Sequence, residues 1–316
     1  MTFSIHTYQH AGFEITALTD NSNGTKVEIV PAQGALLHAF IIKHKGGDLN
    51  IIDSYDSLQD YQENLRESFK NVKLSPFACR IPDAVYQWQQ QEYTIEKTVA
   101  PGKAIHGLLY DAAFVITKQE TNEHFAAVTL EYSYKGQDAG YPFHYICKAV
   151  YRLLPENKLE VTTTIENHGA SPMPLMDGWH PYFTTGSPVD ELELAFASSE
   201  IVEFNAQLIP TGKLLPYRDF QQSRSLAGVN LDNSFMLDFT QSSPLCTLRD
   251  PKKDITISFY PGTRYPVLQI YIPPHRKSIA IESLTGAPNA FNNGMGLLTL
   301  DSGKSMVFHT AVQVKG

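Results

Sequence analysis

Residues 145–165 read Tyr-Ile-Cys-Lys-Ala-Val-Tyr-Arg-Leu-Leu-Pro-Glu-Asn-Lys-Leu-Glu-Val-Thr-Thr-Thr-Ile. Two runs rich in β-branched and aromatic residues, Tyr145–Leu153 and Lys158–Ile165, flank Pro155-Glu156-Asn157. Val161, Thr163 and Ile165 alternate with polar neighbours, so they share one face of a strand, and the pair predicts an antiparallel hairpin. Working outward, short runs of the same kind recur: Phe13–Leu18, Lys26–Val30, Ala35–Lys43, Val85–Tyr93, Ala112–Gln119 and Ala126–Tyr134 before the hairpin. After it come Glu191–Phe196, Ile201–Phe204, Leu214–Tyr217, a run from Asn230 to Phe239, Leu245–Arg249, Ile255–Tyr260, Val267–Ile272, Ser278–Ile281, Leu297–Leu300 and Ser305–Val312. Turn clusters such as Asp20-Asn21-Ser22-Asn23-Gly24 punctuate them. Helical periodicity is missing almost throughout; Ser57–Phe69, without alternation and rich in helix formers, is the best early helix candidate. The expectation is an all-β chain of antiparallel sheets, packed as a sandwich or barrel with two or three layers.

The chain has 316 residues, 42% of them hydrophobic and 18% charged, with a net charge of −8. That is globular rather than disordered. No basic patch stands out, which disfavours a nucleic-acid partner. No apolar run approaches the roughly 20 residues that span a bilayer, and Met1-Thr2-Phe3-Ser4-Ile5-His6 lacks the charged and apolar regions of a signal peptide, so no membrane partner is expected. Cys79, Cys147 and Cys246 are odd in number and far apart, which fits a reducing cytoplasm and speaks against a thiolate zinc site. With no linker and no fixed repeat, residues 1–316 are expected to form a single domain.

Two stretches carry chemistry. Asp177-Gly178-Trp179-His180-Pro181-Tyr182-Phe183 sets a histidine before a proline, among aromatic rings able to stack on a sugar or fill a core. Ile279-Ala280-Ile281-Glu282 places a carboxylate at the end of an apolar strand, where it emerges into a cleft or is buried with a partner. Arg80, His106 and Asp232 are further polar candidates, each with a plainer alternative: an ion-pair arginine, a turn-capping histidine before Gly107, and an ordinary turn aspartate. If the five converge, His180 and Glu282 make an acid–base pair and Arg80 donates to hydroxyls or a carboxylate. There is no GxGxxG, GxxxxGK[ST], GxSxG or HExxH pattern. A metal held by His106, His180 and Glu282 fits by ligand type, but no local spacing supports it.

At these residues the chain resembles the aldose 1-epimerase (galactose mutarotase) family, between about Phe77 and Asn292. Arg80-Ile81 is similar to its substrate-binding arginine motif, Ile105-His106-Gly107 to its first histidine motif, and Trp179-His180-Pro181-Tyr182-Phe183 to its catalytic histidine motif. Leu231-Asp232-Asn233-Ser234-Phe235 resembles its substrate-binding aspartate motif, and Ile281-Glu282 with Gly286–Asn292 its catalytic glutamate motif. The resemblance implies a β-supersandwich, no cofactor and no metal, and a small-molecule sugar, a hexose or hexose phosphate, in a monomer or homodimer. It implies that Glu282 takes the anomeric proton while His180 protonates the ring oxygen and His106 assists. Arg80 and Asp232 would hold hydroxyls. Cys79 and Thr184 stand where the family often has asparagine, and Asn289 where it commonly has aspartate, which leaves the choice of sugar open. A phosphate would need cations, for which Arg80, Lys73, Lys103, Arg264 and Arg276 are candidates. The competing expectations are a glycoside hydrolase or lyase using Glu282 with Asp232 or Asp177, and a non-catalytic sugar-binding protein.

Overall fold

The computed structural model describes residues 2–316. The hairpin forms as expected, with strands His144–Leu154 and Lys158–Asn167 in register from Tyr145↔Asn167 to Leu154↔Lys158. Its turn is made by Glu156 and Asn157, both at positive φ (61° and 53°). Burial alternates strictly along both strands: Tyr145, Cys147, Ala149, Tyr151 and Leu153 face inward, as do Leu159, Val161, Thr163, Ile165 and Asn167. One face buried and one wet is the ordinary state of an antiparallel sheet.

The hairpin sits inside a nine-stranded sheet that runs from Val115–Thr121 at one edge through the long strand Ser305–Lys315 to Arg224–Ser225 at the other. A five-stranded meander, Phe3–His10 to Gly47–Asn50, pairs in chain order. The third large sheet has eight strands. Seven of them run Pro210–Pro216, Ser198–Phe204, Asp232–Leu237, Val267–Tyr271, Ile279–Leu284, Gly178–Trp179 and Lys73–Leu74. Tyr182–Phe183 pairs with Ile279–Leu284 off this path. One hydrophobic cluster is continuous across all three sheets. The fold is all-β and antiparallel, with Leu58–Ser68 the one helix longer than a single turn among the described residues.

That helix starts and stops for local reasons. The Ser57 hydroxyl caps the Asp60 amide at 3.1 Å, and Phe69 ends the helix in the left-handed region. Tyr61 and Leu65, one turn apart, bury its inner face.

Two expectations need correction. Val85–Tyr93 is not one strand but a hairpin, Val85–Trp88 with Gln91–Thr94, turned by Gln89 and Gln90 at φ of 49° and 66°. Neither residue is one of the usual turn formers, so composition hid the turn. Phe3–His10, unmarked in the sequence reading, is the edge strand of the meander, exposed over its second half.

Candidate active site

The site is built on the inner face of the eight-stranded sheet. Glu282 lies opposite Gln269, and Gln269 opposite Ser234, across two strand pairings. Two residues further along each strand, Asp232, Tyr271 and Ala280 form the next row, which Tyr182 extends. Because strand side chains repeat every second residue, Asp232 and Ser234, Gln269 and Tyr271, and Glu282 all face one side. Glu282 is therefore mid-strand and 2% exposed, not at the strand end; the strand continues through Ser283 and Leu284.

His180 lies in the break between the two short strands Gly178–Trp179 and Tyr182–Phe183. Asn71 holds this break. Its amide donates to the His180 carbonyl (2.8 Å), its Oδ1 accepts the Tyr182 amide (2.8 Å), and its Nδ2 donates to the Asp53 carbonyl (2.8 Å). The His180 ring stacks on Tyr182, with planes 9° apart and centroids 5.1 Å apart. Trp179 and Phe183 are core residues instead, Phe183 packing edge-on against Phe259.

Arg80 and His106 arrive together, because Arg80–Pro82 pairs with Lys103–Ile105 in the register Ile105↔Arg80. His106 itself is at φ 60°, its amide bonded to the Cys79 carbonyl at 2.9 Å. Gly107 is required here, since a Cβ would lie 2.3 Å from the Ser75 carbonyl oxygen. The turn belongs to the glycine, which leaves the His106 side chain to meet His180 edge-on, with centroids 4.7 Å apart.

Arg80, His106, His180, Asp232 and Glu282 thus line one chamber of about 240 Å³. His180 Nε2 is 3.6 Å from Glu282 Oε1. Tyr182, one of the rings the sequence offered for stacking on a sugar, lines it too, as do Gln269, Phe69 and Arg66, which were not foreseen as pocket residues. Gln269 joins two polar neighbours, accepting from the Ser234 hydroxyl (2.5 Å) and donating to Asp232 Oδ1 (3.0 Å). Its one available signal was a lone amide inside the apolar run Val267–Ile272.

Burial sets the charges. It pushes His180 down to about 4 and His106 well below the usual imidazole range, the latter helped by the neighbouring His180 and Arg80. It lifts Glu282 well above the carboxylate range, with Asp232 adding to the rise and Arg80 opposing it. Asp232 is lifted by burial too, against Arg80 and the Gln269 hydrogen bond. His106 Nδ1, His180 Nδ1 and Glu282 Oε2 are buried without a hydrogen-bond partner. Three such atoms around one chamber are unusual for a folded protein.

Several candidates fall away. Lys73 and Asp177 are buried, paired with each other at 2.7 Å, and absent from the chamber's lining, so Lys73 is no phosphate ligand and Asp177 no second carboxylate of a hydrolase. Arg276 is held by Asp190 at 2.7 and 3.0 Å, and Arg264 donates to the Val307 carbonyl on the exterior. No cluster of three or more His, Cys, Asp or Glu among the described residues is arranged to hold a metal ion, and no helix among them is long and apolar enough to cross a membrane.

A family model described as aldose 1-epimerase matches residues 16–313. An uncharacterized Escherichia coli protein, YihR, is 29% identical over 242 residues, covering 73% of this chain and 74% of its own length. The maltose epimerase of Levilactobacillus brevis is 24% identical over 260 residues, covering 76% and 74%. Among solved structures, a galactose mutarotase-like protein from Clostridium acetobutylicum superposes with a TM-score of 0.87 at 17% identity, covering 100% of this chain and 99% of its own. The galactose 1-epimerase from Lactobacillus acidophilus gives 0.82 at 16% identity, covering 99% and 98%. These neighbours share the fold.

Proposed function

The chain belongs to the aldose 1-epimerase family, and on that premise we propose that it interconverts the α and β anomers of a free hexose unit by acid–base ring opening and closure. The observation that carries this reading is the 3.6 Å approach of His180 Nε2 to Glu282 Oε1 inside a shared chamber. The anomeric hydroxyl and the ring oxygen are bonded to the same carbon. An acid and a base that serve both must therefore be neighbours, within hydrogen-bond reach of adjacent atoms.

The pair shares one proton. With His180 driven down and Glu282 driven up, the resting form is neutral imidazole beside neutral carboxyl. Moving that proton from Glu282 to His180 gives carboxylate and imidazolium at the same total charge, with no exchange with solvent. In this form Glu282 removes the anomeric proton and His180 protonates the ring oxygen. The C1–O5 bond breaks as the C1 carbonyl forms. Rotation about C1–C2 turns the aldehyde over, and reclosure returns the protons: the C5 hydroxyl gives its proton to His180 and O1 regains one from Glu282. His106, edge-on to His180 and kept neutral by burial, assists beside it. Arg80 and Asp232 hold ring hydroxyls, Asp232 aimed by Gln269.

Free sugars are favoured over 6-phosphates because the chamber offers Arg80 and Arg66 with Glu67, Asp232 and Glu282 among them, a mixed rather than cationic lining. The test is anomer interconversion of freshly dissolved α-D-glucose and α-D-galactose followed by polarimetry, with glucose 6-phosphate as the contrast. Acceleration of a free hexose, lost in Glu282→Gln, is expected. No acceleration of either hexose overturns the reading.

A further inference from the structure

His180 and Glu282 act on neighbouring atoms of one sugar, yet they hang on different parts of the chain. Ladder pairing joins the two parts on either side of the break, at Gly178↔Leu284 and Tyr182↔Ala280, with one long bond between, from the Ile281 amide to the Pro181 carbonyl at 3.3 Å. The His180 backbone itself bonds elsewhere. Its carbonyl accepts the Asn71 amide at 2.8 Å, and its amide donates to the Val72 carbonyl at 3.4 Å. Segment 71–72 thus carries His180, while the strand Ile279–Leu284 carries Glu282. Holding their side chains 3.6 Å apart requires these two supports to be fixed to each other.

Asp53 connects them with every polar group it has. Its amide donates to the Tyr182 carbonyl at 3.0 Å, and its carbonyl accepts Asn71 Nδ2 at 2.8 Å. Its carboxylate is divided between two donors: Oδ1 accepts from the Lys70 ammonium at 3.0 Å and Oδ2 from the Ser278 hydroxyl at 2.5 Å. Lys70 precedes Asn71, and Ser278 immediately precedes the strand of Glu282. One residue therefore holds the His180 side through Tyr182, Asn71 and Lys70, and the Glu282 side through Ser278. Ser278 is fully buried, so its hydroxyl has no water to replace this partner. Asp53 is remote from the sugar: it lines a separate surface cavity with Lys70, Asp56 and Lys277 and is absent from the chamber wall.

We propose that Asp53 is a positioning residue for the acid–base pair: its bridge from Asn71 and Lys70 to Ser278 sets, from outside the chamber, the reach of His180 to Glu282. This rests on the anomerase reading of the chamber. Reach between reacting groups is where small displacements have large effects, since a shift of about 1 Å can lower a rate by about 10². Arg80 and Asp232, which hold hydroxyls, lie outside the bridge, so binding of the sugar in its ground state is spared.

The experiment follows anomerisation of glucose and galactose by Asp53→Asn, by Ser278→Ala, by the two together, and by Asp56→Asn, which removes an exposed carboxylate from the same cavity without touching the bridge. Asp53→Asn is expected to lower kcat about tenfold with KM within about twofold; Ser278→Ala, the variant that decides should the first not fold, lowers kcat about fivefold. The double variant should be within about twofold of Asp53→Asn, because both changes break one bridge. Asp53→Glu, which keeps the carboxylate, should recover part of the rate, and Asp56→Asn should match the native protein. With His180 less firmly enclosed among Glu282, His106, Tyr182, Arg80 and Asp232, the acid limb of kcat should move up from about 4 toward the ordinary imidazole value, a shift that loss of folded protein does not produce. Native kcat with an unmoved acid limb in folded Asp53→Asn or Ser278→Ala, a loss carried by KM, multiplied losses in the double variant, or an equal loss in Asp56→Asn would overturn the positioning role while leaving anomerase activity standing. No acceleration of either sugar by the native protein would take down the anomerase reading and this inference with it.

Discussion

The hairpin His144–Leu154 with Lys158–Asn167 and the strand Ile279–Leu284 are both antiparallel and fully paired, yet they are built on opposite terms. In the hairpin every second residue is buried and the others meet water. Its positive-φ residues are confined to the turn. In Ile279–Leu284 all six residues are buried, and one of them is a carboxylate. Around it sit Asn71, Cys79, His106 and Asn289, all non-glycine residues at positive φ, each costing on the order of 1 kcal/mol or more. The orphaned nitrogens of His106 and His180 lie there too. Local preference and global fold agree in the hairpin and conflict in the pocket, which is the pattern of a scaffold that supports a working site.

Four measurements would break or sharpen this contrast. The largest effect is expected from Glu282→Gln, which should lower the anomerisation rate by about 10² to 10⁴. The same variant should be more stable than the native protein, because the raised carboxyl of Glu282 retains its proton in the fold while the unfolded chain releases it. That burden is absent below the ordinary carboxylate value and grows as pH rises through the window up to the raised folded value, so the melting gap should widen with pH. A variant that loses both rate and stability would show that Glu282 holds the sheet together.

Leu159→Ala, in the hairpin, should do the reverse. Removing this 1% exposed side chain should cost about 2 to 5 kcal/mol in denaturant unfolding, with kcat unchanged while the protein is folded. A matching fall in kcat would mean the two regions are not separable.

The pH profile comes next. The pair works while it holds a single proton. Activity should fall on the acid side as His180 gains a second proton near about 4, well below an ordinary histidine limb. On the alkaline side it should fall only above the usual carboxylate range, as the proton shared with the raised Glu282 is lost. An acid limb near 6.5 in kcat/KM would place an unburied histidine at the chemistry instead.

The smallest effect belongs to the wet face of the hairpin. Lys148 contacts Glu166 at 2.7 Å and Glu131 at 3.8 Å, all partly exposed. Lys148→Ala should change stability by about 0 to 1 kcal/mol, less at high salt, without touching the rate. A larger loss would mean the outer face contributes more than alternation implies.

What could be read in advance follows the same division. The hairpin and the helix carry their signals locally, in period-two burial, in the Ser57 cap and in Tyr61 with Leu65. Their ends fell within about two residues of expectation. The five polar site residues were legible as motifs, but their meeting depends on strand order, which no local signal carries. Glu282 looked terminal because Ser283 and Thr285 resemble a turn, whereas both find buried partners: Ser283, inside the strand, with Thr310, and Thr285, just past its end, with the Asp177 amide. Asn71 and Gln269 went unseen because an asparagine clamp and a lone buried amide have no sequence pattern of their own.

The buried Lys73–Asp177 pair has a consequence for how the pocket moves. Lys73 lies on the last short strand of the eight-stranded sheet, and its ammonium also donates to the Gly178 carbonyl at 2.5 Å. The Asp177 carboxylate takes the Tyr265 hydroxyl at 2.6 Å. Peeling that edge away would strand two charges in an apolar interior, at a cost of about 3 to 5 kcal/mol for whichever loses its partner. A two-residue edge strand would ordinarily fray first. Here the amide of Lys73, bonded to the Gly34 carbonyl at 3.0 Å, and that of Trp179, the register partner of Lys73 across that edge, should exchange with deuterium only in the slow openings that release the interior as a whole, so this side of the pocket stays shut on the timescale on which exposed loops breathe.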